Sequence, residues 1–443
     1  MKYETVKSTV LTILVVMSLG LTYTIWTYQP TYQPIESNDT FNISIEAQKD
    51  YNTLIKPFKL LYHKRNATYG SVEEEELDKV LNELKKWNLY DVRNVSEQYN
   101  TNAFLERIHG NDKIEVIFPD LVPSEIYKNV LKFEDTEFQS FDFDRIVIDM
   151  SKSDLDTANV YFVDYSNQTL YEARFNSDVL ADFDQNVVRY AFGNDRYDFE
   201  VINGERRIYF PVNVSELPIQ KYLYDEIDPE NFKNALFTDP NNVKKDLLFQ
   251  GEEFSNGTSF MEVMYVSNML RYVNPSQETN GLLFSSDLVE KSINFINVHG
   301  GWTDDFRYFQ INPSSRRIVY RLFHQGYPVF NENNMAEMTQ RWGIEDIYIY
   351  DRPYFEINLR VDLGSEPVQL VSGESAIAFL QDSKNIDDKE LQDLMIGYHL
   401  YKDPDSPSTS NVIILEPSWY YQYKGIWYRL SIEELGGRAN GLE

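Results

Sequence analysis

An uncharged apolar segment near the start of the chain restricts where everything after it can fold. Residues 8–28 contain no charged side chain. As an α-helix these 21 residues would be about 31 Å long at ~1.5 Å per residue, which matches the hydrocarbon core of a bilayer. Lys2 and Lys7 precede the segment, so the positive-inside rule assigns residues 1–7 to the cytoplasm. We therefore predict a single-pass transmembrane anchor at residues 8–28 in the cell membrane, with the C-terminal bulk of the chain extracellular.

A cleaved signal peptide is the alternative interpretation of the same segment. Signal peptides have a shorter apolar region and end at a cleavage site with small residues, typically Ala-x-Ala. Residues 24–30 read Thr-Ile-Trp-Thr-Tyr-Gln-Pro and contain no such site. The sequence therefore favours an uncleaved anchor.

Small side chains recur along the predicted anchor at every fourth position. They are Ser8, Thr12, Val16, Gly20 and Thr24. This spacing aligns them on one helix face, where small residues let a second helix approach closely. Because small residues are also common in membrane spans without partners, a partner-binding face and a purely compositional origin both stay open.

The chain as a whole is acidic and has no cysteine. Its 443 residues carry a formal net charge of −29, and 42% of them are hydrophobic. Such a charge excludes binding to nucleic acid, while the hydrophobic fraction is that of a folded protein. Without cysteine there is no disulfide framework and no thiolate nucleophile, which fits the surface of a Gram-positive bacterium better than a eukaryotic ectodomain.

The predicted outer region begins with a linker and continues as three domains. Residues 29–50 contain two Tyr-Gln-Pro triplets followed by polar residues, which is typical of an extended linker. Changes in the pattern of predicted helices and strands place the extracellular domains at residues 51–200, 201–286 and 287–443. Their helix and strand patterns do not alternate as in βαβ units, so we predict an α+β fold with mainly antiparallel sheets.

Several local patterns predict individual elements. Ser71 followed by Glu74 has the spacing of a capping box and predicts a helix start. Residues 411–416 and 420–423 are interpreted as two separate strands, and residues 426–429 as the partner in a hairpin that turns at Lys424-Gly425.

No signature of a catalytic site occurs in the sequence. It contains no G-x-S-x-G, P-loop, G-x-G-x-x-G, H-E-x-x-H or EF-hand pattern, and nothing in it indicates a cofactor or a metal. The best candidate for an enzyme is His299-Gly300-Gly301, close to Asp304 and Asp305. A helix that ends on glycine explains the same residues, and no nucleophile accompanies them. Binding rather than catalysis is therefore the predicted mode of action.

Motifs spread over nearly the whole chain resemble a known family, the YycH (WalH) proteins. The most specific are Phe-Ile-Asn-Val-His-Gly-Gly at residues 295–301, Asp-Phe-Arg at 305–307 and Gly-Tyr-Pro-Val-Phe at 326–330. Further matching residues are those of the anchor, 141–149, 396–398, 417–420 and 425–428. The family comprises extracytoplasmic regulatory proteins of low-GC Gram-positive bacteria.

The resemblance implies an extracellular region whose last two domains are similar to YycI, the companion of YycH. It also implies association with a WalK (YycG) sensor histidine kinase and with a YycI-like membrane protein, in a two-component system that controls cell-wall metabolism. The family pattern includes no catalytic residues. A homodimer stays open, as do two other functions: an extracellular receptor that binds a cell-wall fragment or peptide in an aromatic pocket, and a hydrolase around His299.

Overall fold

The computed structural model describes residues 7, 8, 11, 14, 15, 17–19 and 47–430, except for 136–137, 152–155, 280, 362–366, 384–385 and 407–410. The chain divides into two compact units, Met1–Asn42 and Ile43–Glu443. All described residues of the first unit are helical, and their large apolar side chains are more than half exposed. Most of the predicted anchor and linker lies outside the described residues. Among the described residues, no helix has the length and apolar character needed to cross a membrane.

The second unit combines short helices with many strands. The described α-helices are α1 (Tyr51–Leu54), α2 (Glu74–Leu84), α3 (Thr101–His109), α4 (Ser124–Tyr127), α5 (Val179–Asn186), α6 (Pro229–Leu236), α7 (Ser285–Val298) and α8 (Gly373–Asp382). Short 3-10 helices cover Ser96–Gln98, Val188–Gly193, Pro240–Asn242, Pro275–Gln277 and Asp388–Glu390.

The strands of the first half are β1 (Lys59–Lys64), β2 (Ala67–Ser71), β3 (Asn88–Asn94), β4 (Lys113–Pro123), β5 (Lys132–Phe133), β6 (Asp142–Asp149), β7 (Thr157–Asp164), β8 (Thr169–Asn176), β9 (Asp195–Ile202) and β10 (Arg206–Pro211). Those of the second half are β11 (Leu217–Pro218), β12 (Gln220–Glu226), β13 (Lys244–Leu248), β14 (Gly251–Ser255), β15 (Phe260–Met264), β16 (Met269–Val273), β17 (Phe306–Asn312), β18 (Arg317–His324), β19 (Tyr327–Phe330), β20 (Glu337–Trp342), β21 (Ile347–Pro353), β22 (Phe355–Arg360), β23 (Pro367–Val368), β24 (Leu391–Lys402), β25 (Val412–Tyr423) and β26 (Ile426–Leu430).

These strands form two large sheets and one small one. The first sheet has the order β10-β9-β2-β1-β4-β6-β7-β8-β3-β5. The second has the order β13-β14-β15-β16-β21-β20-β18-β19-β24-β25-β12-β22, with β17 beside β18 and β26 beside β25, while β11 pairs with β23. Within the described residues the pairing is antiparallel except for β3 with β5 and β19 with β24. The predicted α+β fold with mainly antiparallel sheets is confirmed.

The predicted capping box before α2 does not form. Ser71 is the last residue of β2 and pairs with Leu60 on β1, so its hydroxyl accepts a hydrogen bond from the Glu73 N–H at 3.1 Å. The helix begins at Glu74 and buries Leu77 and the other apolar residues of its inner face. Because Ser71 belongs to β2, its hydroxyl group does not cap α2. The start of α2 is marked instead by the acidic residues of its first turn.

The two strands predicted at residues 411–416 and 420–423 are one strand, β25, which begins at Val412 and ends at Tyr423. Pro417 pairs with Tyr398 in the middle of β25. On the other side of β25, Leu415 pairs with β12 and Trp419 with β26. On that side of β25, Pro417 lies between the end of the pairing with β12 and the start of the pairing with β26, a place where a residue without an N–H is tolerated.

The core of the second unit joins both large sheets. A continuous cluster of buried apolar side chains includes Val116 and Ile146 from the first sheet and Leu270 and Tyr320 from the second. Where β4 meets β17, the Asp120 carboxylate accepts a hydrogen bond from the Ile311 N–H at 2.9 Å. Burial raises the pKa of Asp120 to about 7. Because the core is continuous, a change at one sheet is transmitted through packing to the other.

Candidate functional site

The predicted partner-binding face lies almost entirely outside the described residues. Ser8 is part of a helix and exposed, whereas Thr12, Val16, Gly20 and Thr24 fall outside the described part of the chain. The face therefore stays a prediction.

The His-Gly-Gly segment forms the C-terminal end of α7. The His299 ring nitrogen Nδ1 lies 2.8 Å from the Phe295 carbonyl oxygen, and the two rings stack with centroids 4.1 Å apart. Gly300 and Gly301 have φ angles of 110° and 71°, which lie in the region that favours glycine. The Gly301 N–H donates to the Ile296 carbonyl at 2.8 Å and closes the helix. Burial lowers the pKa of His299, which favours a neutral ring.

The aspartates beside this helix end are engaged elsewhere. Asp304 accepts a hydrogen bond from the Ile357 N–H at 3.0 Å, and Asp305 pairs with Arg307. Neither carboxylate is paired with His299 in the described contacts, so the orientation that an acid–base dyad needs is not formed. This geometry gives the hydrolase hypothesis no support.

The C-terminal end of α7 contacts residues 47–49, the first described residues of the second unit. Ala47 forms an isolated antiparallel bridge with Trp302. Asn297, in the last turn of α7, accepts a hydrogen bond from the Lys49 N–H at 3.0 Å and donates one to the Lys49 carbonyl at 3.1 Å. Its Oδ1 also accepts from the Trp302 indole N–H at 2.7 Å. We call residues 47–49 the incoming segment and Asn297, Trp302 and Asp304 the receiving corner.

The Lys49 side chain extends this contact. Its ammonium group donates to the Asp304 carbonyl oxygen at 2.8 Å, and burial lowers the pKa of Lys49. Burial raises the pKa of the Asp304 carboxyl to about 7, because the hydrogen bond from Ile357 compensates only in part for lost hydration. The receiving corner therefore contains a carboxyl group that titrates near neutral pH.

A chain of ion pairs begins beside the receiving corner, at Asp305, and leads to helix α2. Arg307 is almost fully buried and contacts both Asp305 and the Glu74 carboxylate, the latter at 2.9 Å. Glu74 begins α2 and also pairs with Lys56 at 2.9 Å. These pairs connect the neighbourhood of the receiving corner to α2, which follows the first two strands of the first sheet. Glu74, which the sequence indicated as part of a capping box, is instead the centre of this ion-paired group.

A second feature is a cleft between the two sheets. Its volume is about 660 Å³, and aromatic side chains from both sheets, Tyr197, Tyr209 and Tyr327, take part in its lining. At its edge, Gly326 has a φ of 82°, and a Cβ atom there would lie 2.2 Å from the Val72 carbonyl oxygen. Only glycine permits both the turn and this close approach of the two sheets.

A third feature is a buried cluster of His63, His109 and Glu115. Each imidazole has one ring nitrogen 2.6 Å from the same carboxylate oxygen of Glu115. Their ligand atoms all lie within 4.8 Å of one another, so the donor set could hold a metal ion. However, Arg145 donates to the other oxygen of Glu115 at 3.0 Å, and its fixed positive charge opposes a cation there.

The outer nitrogens of both rings are also hydrogen-bonded. His63 Nδ1 lies 3.0 Å from the Thr68 hydroxyl, and His109 Nε2 lies 2.8 Å from the Tyr165 hydroxyl. Burial lowers the pKa of His109 to about 4. Burial alone would raise the pKa of Glu115, but the two imidazoles outweigh it and hold that pKa well below its usual value. The ring nitrogens and both oxygens of Glu115 therefore all have partners within the protein, and the cluster is a satisfied polar network.

Comparisons with known proteins assign the chain to a family. The family model described as the YycH protein C-terminal domain matches residues 205–434, and the YycH protein N-terminal domain matches residues 4–191. The chain belongs to the YycH family. A curated relative, the two-component system WalR/WalK regulatory protein YycH of Bacillus subtilis (strain 168), is 22% identical over 440 residues, covering 96% of each chain.

A solved structure of a YycH protein has the same fold. The crystal structure of YycH from Bacillus subtilis matches with a TM-score of 0.71 and 19% identity, covering 88% of this chain and 99% of that one. In this member of the YycH family, the segment at residues 295–301 that carried the resemblance contains Asn297 and forms the helix end that contacts the incoming segment.

Proposed function

We propose that this protein is a membrane-anchored, non-enzymatic regulator of a WalR/WalK-type two-component system. In this proposal, residues 8–28 hold it in the membrane and the second unit lies outside the cell. It binds a WalK-type sensor histidine kinase, together with a YycI-like membrane protein, and modulates the control of cell-wall metabolism. Membership of the YycH family and the name of the Bacillus subtilis relative support the regulatory role.

The observation that carries the proposal is the double hydrogen bond between Asn297 and Lys49. It fixes the incoming segment to the receiving corner, next to which Arg307 pairs with Glu74 of α2. In this proposal, the attachment transmits a displacement of the preceding chain to the second unit. A regulator can shift a kinase only by binding one of its states better, and a few-fold preference corresponds to roughly 1 kcal/mol.

The partner contact in the membrane is proposed for the face formed by Ser8, Thr12, Val16, Gly20 and Thr24. Its small side chains would allow close packing against a helix of the kinase.

Crosslinking in intact cells, followed by mass spectrometry of the captured proteins, tests the partner. A photoreactive residue at position 20 should capture the kinase. The same residue at position 18, on the opposite side of a helix of 3.6 residues per turn, is the matched control and should capture much less. Gly20→Leu should reduce co-purification of the kinase several-fold, whereas Ser18→Leu should not. Equal capture from both positions would contradict the proposed face, and capture of no kinase from any position would contradict the proposed function.

A second candidate function is supported by the cleft. Its volume falls in the range of small-molecule and peptide sites, and tyrosines take part in its lining. An extracellular receptor for a cell-wall fragment or peptide would use such a cleft. Saturable binding of purified wall fragments to the full chain, lost on Tyr327→Ala and without capture of a kinase, would favour this function over the first.

A further inference from the structure

Two neighbouring hairpins in the second sheet present apolar side chains to solvent. In the hairpin of β13 and β14, Leu247 is 80% exposed, Leu248 45% and Phe249 99%. In the hairpin of β15 and β16, Tyr265 is 46% exposed and Val266 62%. Single exposed apolar residues are ordinary, but a group of this size marks an interaction surface.

The two hairpin tips form one continuous surface. Gly251, the first residue of β14, pairs with Met264, the last residue of β15, so both turns lie at the same end of the strands. The Tyr265 N–H donates to the Gln250 carbonyl at 3.1 Å and joins one turn to the other. We call Leu247, Leu248, Phe249, Tyr265 and Val266 the tip patch.

The tip patch lies at the end of the sheet where the chain enters the second unit. Leu270, just after the second turn, pairs with Arg352 on β21. Arg352 donates to the Gly301 carbonyl at 3.1 Å, and the next residue, Trp302, forms the bridge to Ala47. The patch and the incoming segment therefore share one end of the second sheet.

The charges around the patch are mixed. Lys244, Lys245 and Asp246 precede the two leucines on β13, and Lys245 is paired with Glu252 at 2.6 Å. Lys402 donates to the Tyr265 carbonyl at 3.5 Å. With a net charge of −29 on the chain, attraction to anionic lipid does not account for the patch. Whatever binds the tip patch therefore has to do so through apolar contacts.

We propose that the tip patch docks on the outer surface of the lipid bilayer, with Leu247, Phe249 and Val266 inserted at the level of the headgroups. This inference rests on the proposed function, since it requires residues 8–28 to anchor the chain. The 18 residues from 29 to 46 can span at most about 60 Å, so a chain anchored at residues 8–28 keeps the incoming segment within that distance of the membrane. Apolar and aromatic side chains suit the interface, where burial of apolar area supplies the binding energy. The bilayer contact would orient the second unit beside the kinase.

The chain contains no cysteine, so a single label can be placed without background. Full-length chain carrying Phe249→Cys is labelled with an environment-sensitive fluorophore and incorporated into phosphatidylcholine nanodiscs. The matched control is Glu205→Cys, exposed in the turn between β9 and β10 of the first sheet. We expect quenching by a lipid-borne quencher to be at least three-fold stronger at position 249 than at position 205. Added anionic lipid should not strengthen it, and Leu247→Ser with Val266→Ser should weaken it.

Three results would overturn the inference. One is equal exposure of both labels to an aqueous quencher. Another is protection of position 249 only when two copies share a disc, which would assign the patch to a second copy of the chain. The third is protection only after the kinase is added, which would assign it to a protein partner. A chain that stays in the disc with position 249 in water contradicts only the tip contact, whereas a chain that leaves the disc contradicts the proposed function itself.

Discussion

Asn297 binds the backbone of Lys49 on both sides, accepting from its N–H at 3.0 Å and donating to its carbonyl at 3.1 Å. One side chain thus takes the place of a neighbouring strand for Lys49, next to the bridge that joins Ala47 to Trp302. A side-chain amide carries its donor and its acceptor on separate atoms, and this contact uses both of them.

Replacing Asn297 by alanine should release the incoming segment. The change removes both bonds to Lys49 and the acceptor of the Trp302 indole, so we expect a loss of about 1–3 kcal/mol in the free energy of unfolding. Hydrogen exchange at the Lys49 amide should accelerate by more than ten-fold. Asn294→Ala, at an exposed position of the same helix, is the control and should change neither quantity appreciably. Unchanged exchange at Lys49 in the N297A variant would contradict the role of Asn297.

Gly326→Ala should destabilise the junction of the two sheets. Both Gly326 and Gly425 occupy the second position of a tight turn with positive φ, so alanine costs roughly 1 kcal/mol at either position. Only at position 326 does the new Cβ meet a carbonyl oxygen at 2.2 Å, whereas at Gly425 no described heavy atom lies within 4 Å. Chemical denaturation should therefore show a larger loss for G326A than for G425A, by about 1–3 kcal/mol. Equal losses would show that the approach to Val72 is easily relaxed.

His109 should make the protein less stable under mildly acidic conditions. Burial lowers its pKa from 6.5 to about 4, so between these values the unfolded chain binds a proton that the folded chain does not. The free energy of unfolding therefore has its full value above about pH 6.5. It decreases by up to ~3 kcal/mol as the pH falls towards 4. Denaturation curves of the wild type and of His109→Gln, measured from pH 7.5 to pH 4.5, should converge towards low pH. Curves that run parallel would mean that His109 is not the titrating group.

Asp304→Asn should have the opposite dependence on pH. Burial raises the pKa of this carboxyl from 3.8 to about 7, so the folded protein loses stability as the pH rises through that interval. The asparagine retains the acceptor for the Ile357 N–H and carries no charge. The variant should match the wild type near pH 4 and exceed its free energy of unfolding by up to about 4 kcal/mol at pH 8. A variant less stable than the wild type at pH 8 would show that the ionised carboxylate is needed.

The sequence predicted elements well where a local signal sufficed. The glycines after His299 correctly predicted the end of α7, and Lys424-Gly425 correctly predicted the turn between β25 and β26. The prediction failed where a neighbouring strand decides the outcome. Ser71 is retained by β2, and Pro417 is tolerated because β25 changes neighbours at that point. A local sequence pattern contains no information about which strands will pair.

The site was less predictable because its contacts are far apart in sequence. Asn297 and Lys49 are 248 positions apart, and His63 and Glu115 are 52 apart. Spacing rules for metal or catalytic residues detect ligands on one element and miss such groups. One available signal was His63 itself, a polar residue directly after the apolar run Leu60–Leu61–Tyr62 in β1. A polar residue in a buried strand requires a partner, although the pattern does not say which one.

The long strand β25 has a consequence for how the protein is made. Its residue Leu415 pairs with Gln220 on β12, so β12 gains this neighbour only when nearly the whole chain has been synthesised. Until then β12 presents an unpaired edge that can associate with other chains. A premature stop codon before residue 412 would remove only a short C-terminal piece, yet it would leave this edge uncovered permanently. Late truncations of the gene should therefore yield aggregates rather than a slightly shortened protein.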